Sequence, residues 1–238
     1  MATLYEHGTL AALMAGNFAG TITVGDLLKH GSTGIGTFDG LDGEVVILDN
    51  EVYQAVASGR VNHITDLAAT MPFAAVHFPK DPQPLTLKDV NFARVNRDLV
   101  AARQLNNVFA FLQLHGTFTR VRTRIAPKQQ RPYPTLLAVA QHQPEFSATD
   151  ITGTILGYYA PAIFGTITAA GWHLHFISDD RQFAGHLLDF AAPQLTGSLE
   201  VFDSLEQHLP IENHAFREST VDMRSLREGI AKSEGSAE

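Results

Sequence analysis

The chain has 238 residues, 45% of them hydrophobic and 18% charged, enough to bury a full core as one large domain or two closely joined halves and unlike a disordered segment. Its 17 Lys and Arg against 25 Asp and Glu leave a formal charge of −8 with no long basic run, which argues against a nucleic-acid partner. It has no cysteine, so disulfides and thiolate ligands are excluded, and any bound metal must be held by His, Asp or Glu. No stretch approaches the roughly 20 apolar residues needed to cross a bilayer. The start, Met1-Ala2-Thr3-Leu4-Tyr5-Glu6-His7, lacks a basic-then-apolar secretory profile, so the expected location is the cytoplasm.

In chain order, Thr9 to Ala15 predicts a short apolar helix stopped by Gly16, and Thr23 can cap a second one running from Val24 to His30 before Gly31. After Asp39-Gly40 and Asp42-Gly43, the run Glu44-Val45-Val46-Ile47-Leu48 predicts a strand. Asp49-Asn50 turns it back into Glu51 to Ala55 as a β-hairpin. Asp81 to Leu85, with two prolines, reads as a loop, and Val95 to Leu105 as a helix ended by Asn106-Asn107. Strands are expected over Val108 to Leu114 and, past His115-Gly116, over Thr117 to Ile125. The polar connector Pro127 to Pro134 is the natural boundary between an N-terminal half, 1–126, and a C-terminal half, 127–238. Thr135 to His142 reads as helical, Thr152 to Phe202 as an antiparallel meander, and Thr220 to Glu234 as a last periodic helix. Strands are separated by turns more often than by crossover helices. The expected fold is therefore α+β, with mixed or antiparallel sheets in two closely packed halves and peripheral helices.

The meander carries the pattern with the most chemical content. Side chains at i and i+2 leave a strand on the same face, roughly 6.5–7 Å apart along it, so His173 and His175 point together. Trp172, Leu174 and Phe176 alternate with them, so the opposite face belongs to the core. Ser178-Asp179-Asp180 is a turn signal, and Gly185 to Phe190 reads as the returning strand. A hairpin turning near Asp180 and Arg181 places His186 opposite His175, with Cβ atoms about 4.5–5.5 Å apart. Three convergent neutral imidazoles on rigid strands, with coordination positions left open, fit a catalytic zinc site better than a closed structural one.

Two charged positions are open in this reading. Glu44 shares a strand face with Val46 and Leu48, so its carboxylate is either a strand-end group in water or an inward metal ligand or general acid–base. Arg120, Arg122 and Arg124 alternate with Val121, Thr123 and Ile125. They form either a solvated face or one on which a guanidinium clamps a substrate carboxylate.

The segments Gly36-Thr37-Phe38, Leu41-Asp42-Gly43-Glu44, Tyr53-Gln54, Pro72-Phe73-Ala74, Arg122-Thr123-Arg124, Gln130-Arg131-Pro132-Tyr133-Pro134, Gly157-Tyr158-Tyr159-Ala160-Pro161 and Gly171-Trp172-His173-Leu174-His175-Phe176 occur in an order that resembles the acetolactate decarboxylase family. The resemblance runs from about Leu4 to the final helix. It implies that His173, His175 and His186 bind Zn2+, that Glu44 is the family's buried glutamate, that Arg124 is its active-site arginine and that Thr37 lines the site. It also implies a glutamate from the C-terminal helix beside the metal, for which Glu234 is the best match, with Glu228 and Glu238 as competitors. A homodimer is implied as well. Two positions depart from the family pattern: Trp172 stands where tyrosine is more usual, and Ala184 replaces a glycine.

The activity implied by the resemblance is decarboxylation of 2-acetolactate to acetoin and CO2. The substrate would chelate zinc through its hydroxyl and keto oxygens, Arg124 would hold the departing carboxylate, and the resulting enediolate would be protonated by Glu44, Glu234 or an ordered water. The alternative is a cupin-like metal-binding protein or oxygenase using the same histidines.

Overall fold

The computed structural model describes residues 2–220; the helix expected from Thr220 to Glu234 falls, beyond its first residue, outside them. The first sheet holds seven strands: β1 (Thr3–His7), β3 (Thr33–Phe38), β4 (Asp42–Leu48), β5 (Glu51–Ala55), β6 (Val61–Ile64), β8 (Phe73–His77) and β16 (Ser204–His208). They lie in the order β16-β1-β8-β3-β4-β5-β6, antiparallel except for the β1–β16 pair. A two-stranded ribbon joins β2 (Ile22–Thr23) to β7 (Thr70–Met71).

The second sheet holds β9 (Gln83–Asn91), β10 (Ala110–Phe118), β11 (Arg120–Arg124), β12 (Glu145–Ala148), β13 (Ile151–Ala160), β14 (Gly171–Ser178) and β15 (Ala184–Val201). Four of these close a ring, because β10 pairs with β13, β13 with β14, β14 with β15, and the far end of β15 returns to β10. The interior is filled by Leu112, Leu114, Phe118, Ile155, Leu174, Phe176, Phe190, Leu195 and Leu199, all buried. Phe118 stacks edge-on against Phe176 and Phe190, at 5.2 and 5.8 Å between centroids, and aromatic contacts of this kind add to the burial itself.

The α+β class holds, with short helices outside extensive sheets. Sheet membership does not follow the chain. β9, β10 and β11 precede residue 127 and belong to the second sheet, while β16 returns to the first. The two layers share a second apolar cluster, to which the first sheet gives Leu4, Ile35, Val46 and Ala75 and the outer face of the ring gives Phe111, Leu156, Tyr158, Ile177 and Ala184.

Local chemistry explains the elements. The helices Leu10–Met14, Val24–Leu27 and Leu136–Ala140 are each capped by a threonine, Thr9, Thr23 and Thr135, whose hydroxyl accepts a backbone N–H of the first turn. The β4–β5 hairpin turns at Asp49 and Asn50, both in the left-handed region at φ 53° and 65°, which matches the twist of the flanking strands.

Three expectations need correction. The segment Asp81–Leu85 is not all loop, because β9 starts at Gln83. It is paired on one side only, by β15, and an edge strand tolerates Pro84. The helix expected over Val95–Leu105 begins at Phe92, where the Asn91 side chain caps it, passes through a wide turn at Val95–Leu99 and ends at Ala102. Gln104 then adopts a left-handed conformation at φ 56°. Strand boundaries near Gly116 also shift. Gly116 lies within β10, and the break comes at Thr119, whose backbone N–H and hydroxyl both donate to the Ala191 carbonyl. β10 and β11 then pair with different stretches of β15.

Among the described residues no helix is long and apolar enough to cross a membrane.

Gly157 leaves the ring no room for a side chain. It pairs with Leu174, and a Cβ there would lie 2.0 Å from the His173 carbonyl oxygen. Gly157→Ala must force β13 away from β14 at the residue carrying a candidate ligand. We expect a loss of at least about 2 kcal/mol, read as a lowered Tm, together with weakened metal binding. An unchanged Tm would show that the strands can separate there at little cost.

Candidate metal centre and active site

The site lies between the outer face of the ring and the first sheet. On β14, Trp172, Leu174 and Phe176 face the ring interior, so His173 and His175 project outward. Across the hairpin, which turns at Asp179–Arg181 with Arg181 left-handed at φ 59°, His186 stands directly opposite His175. The three rings lie 4.9 to 5.6 Å apart between centroids, and one ligand nitrogen from each falls within 4.8 Å of the others. The sequence expectation for these histidines is met in both register and direction.

The three imidazoles are held neutral. Burial, followed by the Arg124 charge, lowers His173 to about 4. Burial also places His175 and His186 well below the ordinary histidine range, with the neighbouring histidines and Arg124 adding to it. Neutral imidazole is the form that ligates metals.

Hydrogen bonding fixes which nitrogen is offered. His175 Nδ1 lies 2.9 Å from the Val45 carbonyl, which can only accept, so Nδ1 carries the proton and Nε2 presents its lone pair. That Nε2 is buried, makes no hydrogen bond, and sits 3.4 Å from Glu44 Oε2. A lone pair facing a carboxylate oxygen at that distance, out of water, is a repulsive arrangement that a cation between them converts into an attractive one. His186 Nε2 is likewise a lone-pair bearer, since the Arg124 guanidinium, a donor only, approaches it at 3.3 Å. The residues present fit a divalent cation.

Glu44 and Thr37 arrive through a β-bulge. Pairing between β3 and β4 shifts between Gly36 and Phe38, and Gly43 takes φ +80° where a Cβ would sit 2.1 Å from the Ala55 carbonyl oxygen. The Thr37 hydroxyl donates to the Gly43 carbonyl, and Glu44 Oε1 accepts from the Ala126 N–H. The Glu44 carboxylate is therefore turned inward and largely out of water, and Val46, two residues on, lies in the inter-sheet cluster.

The arginines separate. Arg120 and Arg122 are exposed and face Asp189 and Glu145, at 2.7 and 3.5 Å. Arg124 is half-buried and lines a cavity of about 50 Å³ together with Thr37, Glu44, His173 and His186. Leu10, Leu13, Leu41, Phe73 and Leu136 form its apolar wall, and Gln143 adds a further polar group. None of these last residues was expected from sequence. They lie on helices, loops and strand β8, distant from the histidines in the chain, and no spacing ties them to that trio. Glu234, Glu228 and Glu238 lie outside the described residues. Of the two departures, Trp172 packs on Tyr159 inside the ring and Ala184 pairs with Ile177 in the shared cluster, so neither is a ligand.

Fold and site together define a strand-borne cluster of three histidines that could hold a metal ion, with a glutamate and an arginine converging on one small cavity. The model of the alpha-acetolactate decarboxylase family matches residues 4–223, and the chain belongs to that family, whose members are carboxy-lyases. It is 35% identical over 232 residues to the alpha-acetolactate decarboxylase of Lactococcus lactis subsp. cremoris, covering 95% of this chain and 96% of that one. Among solved structures, that of alpha-acetolactate decarboxylase from Bacillus subtilis strain 168 superposes with a TM-score of 0.94 at 26% identity, covering 98% of this chain and 100% of the other. A Staphylococcus aureus protein described as of unknown function and similar to alpha-acetolactate decarboxylase gives a TM-score of 0.93 at 34% identity, covering 97% and 99%.

His175→Ala removes the candidate ligand whose tautomer is set by the first sheet. We expect the variant to fold and to lose bound metal by elemental analysis; full metal content would take His175 out of the centre.

Proposed function

We propose that this chain decarboxylates 2-acetolactate to acetoin and CO2, with a zinc ion held by His173, His175 and His186. The observation that supports this most directly is the buried His175 Nε2 facing Glu44 Oε2 at 3.4 Å, beside a cavity that Arg124 also enters. Three imidazole donors without thiolates suit zinc. When bound, that ion supplies a Lewis acid for the electron pair released as the carbon–carbon bond breaks.

The chain's own residues do the remainder. Arg124 binds the substrate carboxylate through its planar fork, holding the breaking bond in line with the adjacent carbonyl π system. Leu10, Leu13, Phe73 and Leu136 receive the methyl groups and keep water out, which strengthens every charge interaction inside. Thr37 holds the bulge through Gly43 and so aims Glu44. Glu44, anchored at Oε1 by the Ala126 N–H, turns Oε2 toward the site, where it delivers or relays the proton that the enediolate carbon takes after CO2 leaves. Glu234 is the other candidate for that transfer.

Two measurements test this reading. Arg124→Lys keeps a charge but loses the fork, so kcat/KM should fall by about 100-fold or more with zinc content unchanged. Wild-type turnover in that variant would reject the clamp. Protein stripped of metal, verified by elemental analysis, should stop forming acetoin from racemic acetolactate under anaerobic conditions and recover on adding zinc. Undiminished turnover without metal would overturn the zinc assignment, and anaerobic turnover separates the reaction from that of an oxygenase.

A further inference from the structure

We infer that Gln143 contacts the substrate, its side-chain carbonyl accepting the hydrogen bond of the tertiary hydroxyl and so helping to decide which enantiomer is held for reaction; this rests on the decarboxylase reading above. The position follows from the sheet. β11 and β12 pair antiparallel with Arg124 opposite Glu145, and the ladder continues through the Ile125 N–H donating to the Pro144 carbonyl. One alternate pair further on, Gln143 comes opposite Ala126, the residue whose N–H holds Glu44. Gln143 is thereby placed against the cavity that Arg124, Glu44, His173 and His186 line.

Its chemistry complements the substrate. Gln143 Oε1 is buried and has no hydrogen-bond partner, a costly state for an amide oxygen unless a ligand satisfies it. 2-Acetolactate carries a carboxylate and a ketone, which only accept, and one hydroxyl, its sole donor. Of the other acceptors around the cavity, Glu44 Oε1 takes the Ala126 N–H, His186 Nε2 faces Arg124, and Glu44 Oε2 lies beside the metal-directed nitrogen of His175, where the reading above gives it the proton of the enediolate carbon. Arg124 offers only donors and takes the carboxylate. Gln143 Oε1 is a buried acceptor at the cavity that has no partner to give up, and the hydroxyl is assigned to it. Carboxylate, ketone and hydroxyl held at three separate points define a handed frame around the quaternary carbon.

The test compares two small ligands that differ in the hydroxyl. 3-Hydroxybutan-2-one has the donor and butane-2,3-dione lacks it, and both are titrated calorimetrically into metal-loaded wild type and Gln143→Met. Methionine keeps the length and burial of the side chain without a comparable acceptor, and Gln143→Leu serves the same comparison if the Met variant does not fold. The expected result is about a tenfold loss of affinity for the hydroxyketone, the worth of one neutral hydrogen bond, with the diketone unaffected, zinc content and Tm unchanged, and a smaller rate ratio between acetolactate enantiomers. Equal changes for both ligands, or no change for either, would overturn the assignment, the first because it marks a merely structural role. Wild-type turnover of acetolactate is measured alongside. Its absence sinks the decarboxylase reading, whereas an active wild type with a Met variant whose affinities for the two ligands change equally or not at all sinks only the role of Gln143.

Discussion

Everything at the site depends on one hydrogen bond between layers, from His175 Nδ1 to the carbonyl of Val45. It selects the tautomer, turns Nε2 toward Glu44, and spans from the ring to the first sheet. A carbonyl is suited to this task because it has no proton of its own to offer, so the imidazole has no choice of orientation. Val45 and Glu44 are adjacent. The backbone that orients the ligand is thus the backbone that presents the carboxylate.

The two layers reach that point by irregularities rather than by regular pleating. The bulge around Thr37 and Gly43 re-aims Glu44, and a second irregularity in the β11–β15 ladder, between Arg122 and Thr123, skips Leu188. Past that skip, Leu187 and Phe190 both lie in the ring's core although their spacing is odd for one face. Arg124 sits just beyond it, opposite His186. Each functional group is placed by a local departure embedded in a ladder that is otherwise continuous.

What the sequence made legible follows from short-range rules. The two-residue period of His173 and His175 against Trp172, Leu174 and Phe176, and the polar turn at Ser178 to Asp180, need only a strand and a hairpin, so the trio could be placed before any fold was known. The Asp49-Asn50 turn was readable for the same reason. Long-range pairing was not. Pro82 and Pro84 suggested a loop because a lone segment gives no sign that it will serve as an edge. The ring closure depends on β15 serving two sets of partners along 18 residues. Gln143 reaches the cavity through the β11–β12 ladder, and the apolar wall of Leu10, Leu13 and Leu136 through helices whose sequence neighbours reveal nothing of their destination.

The ring has a bearing on how the molecule opens. β13 is bonded on both sides, β14 is bonded on both sides from His175 to Ile177, and β15 is gripped at each end by different strands, so the part of the hairpin that joins His175 to His186 has no free border from which to fray. Amide protons there can exchange with solvent only when several ladders part together, which puts the ligand scaffold among the slowest-exchanging regions of the molecule, while β6, paired by β5 alone at the far border of the first sheet, can unzip by itself. Thermal breathing is thereby directed away from the imidazoles.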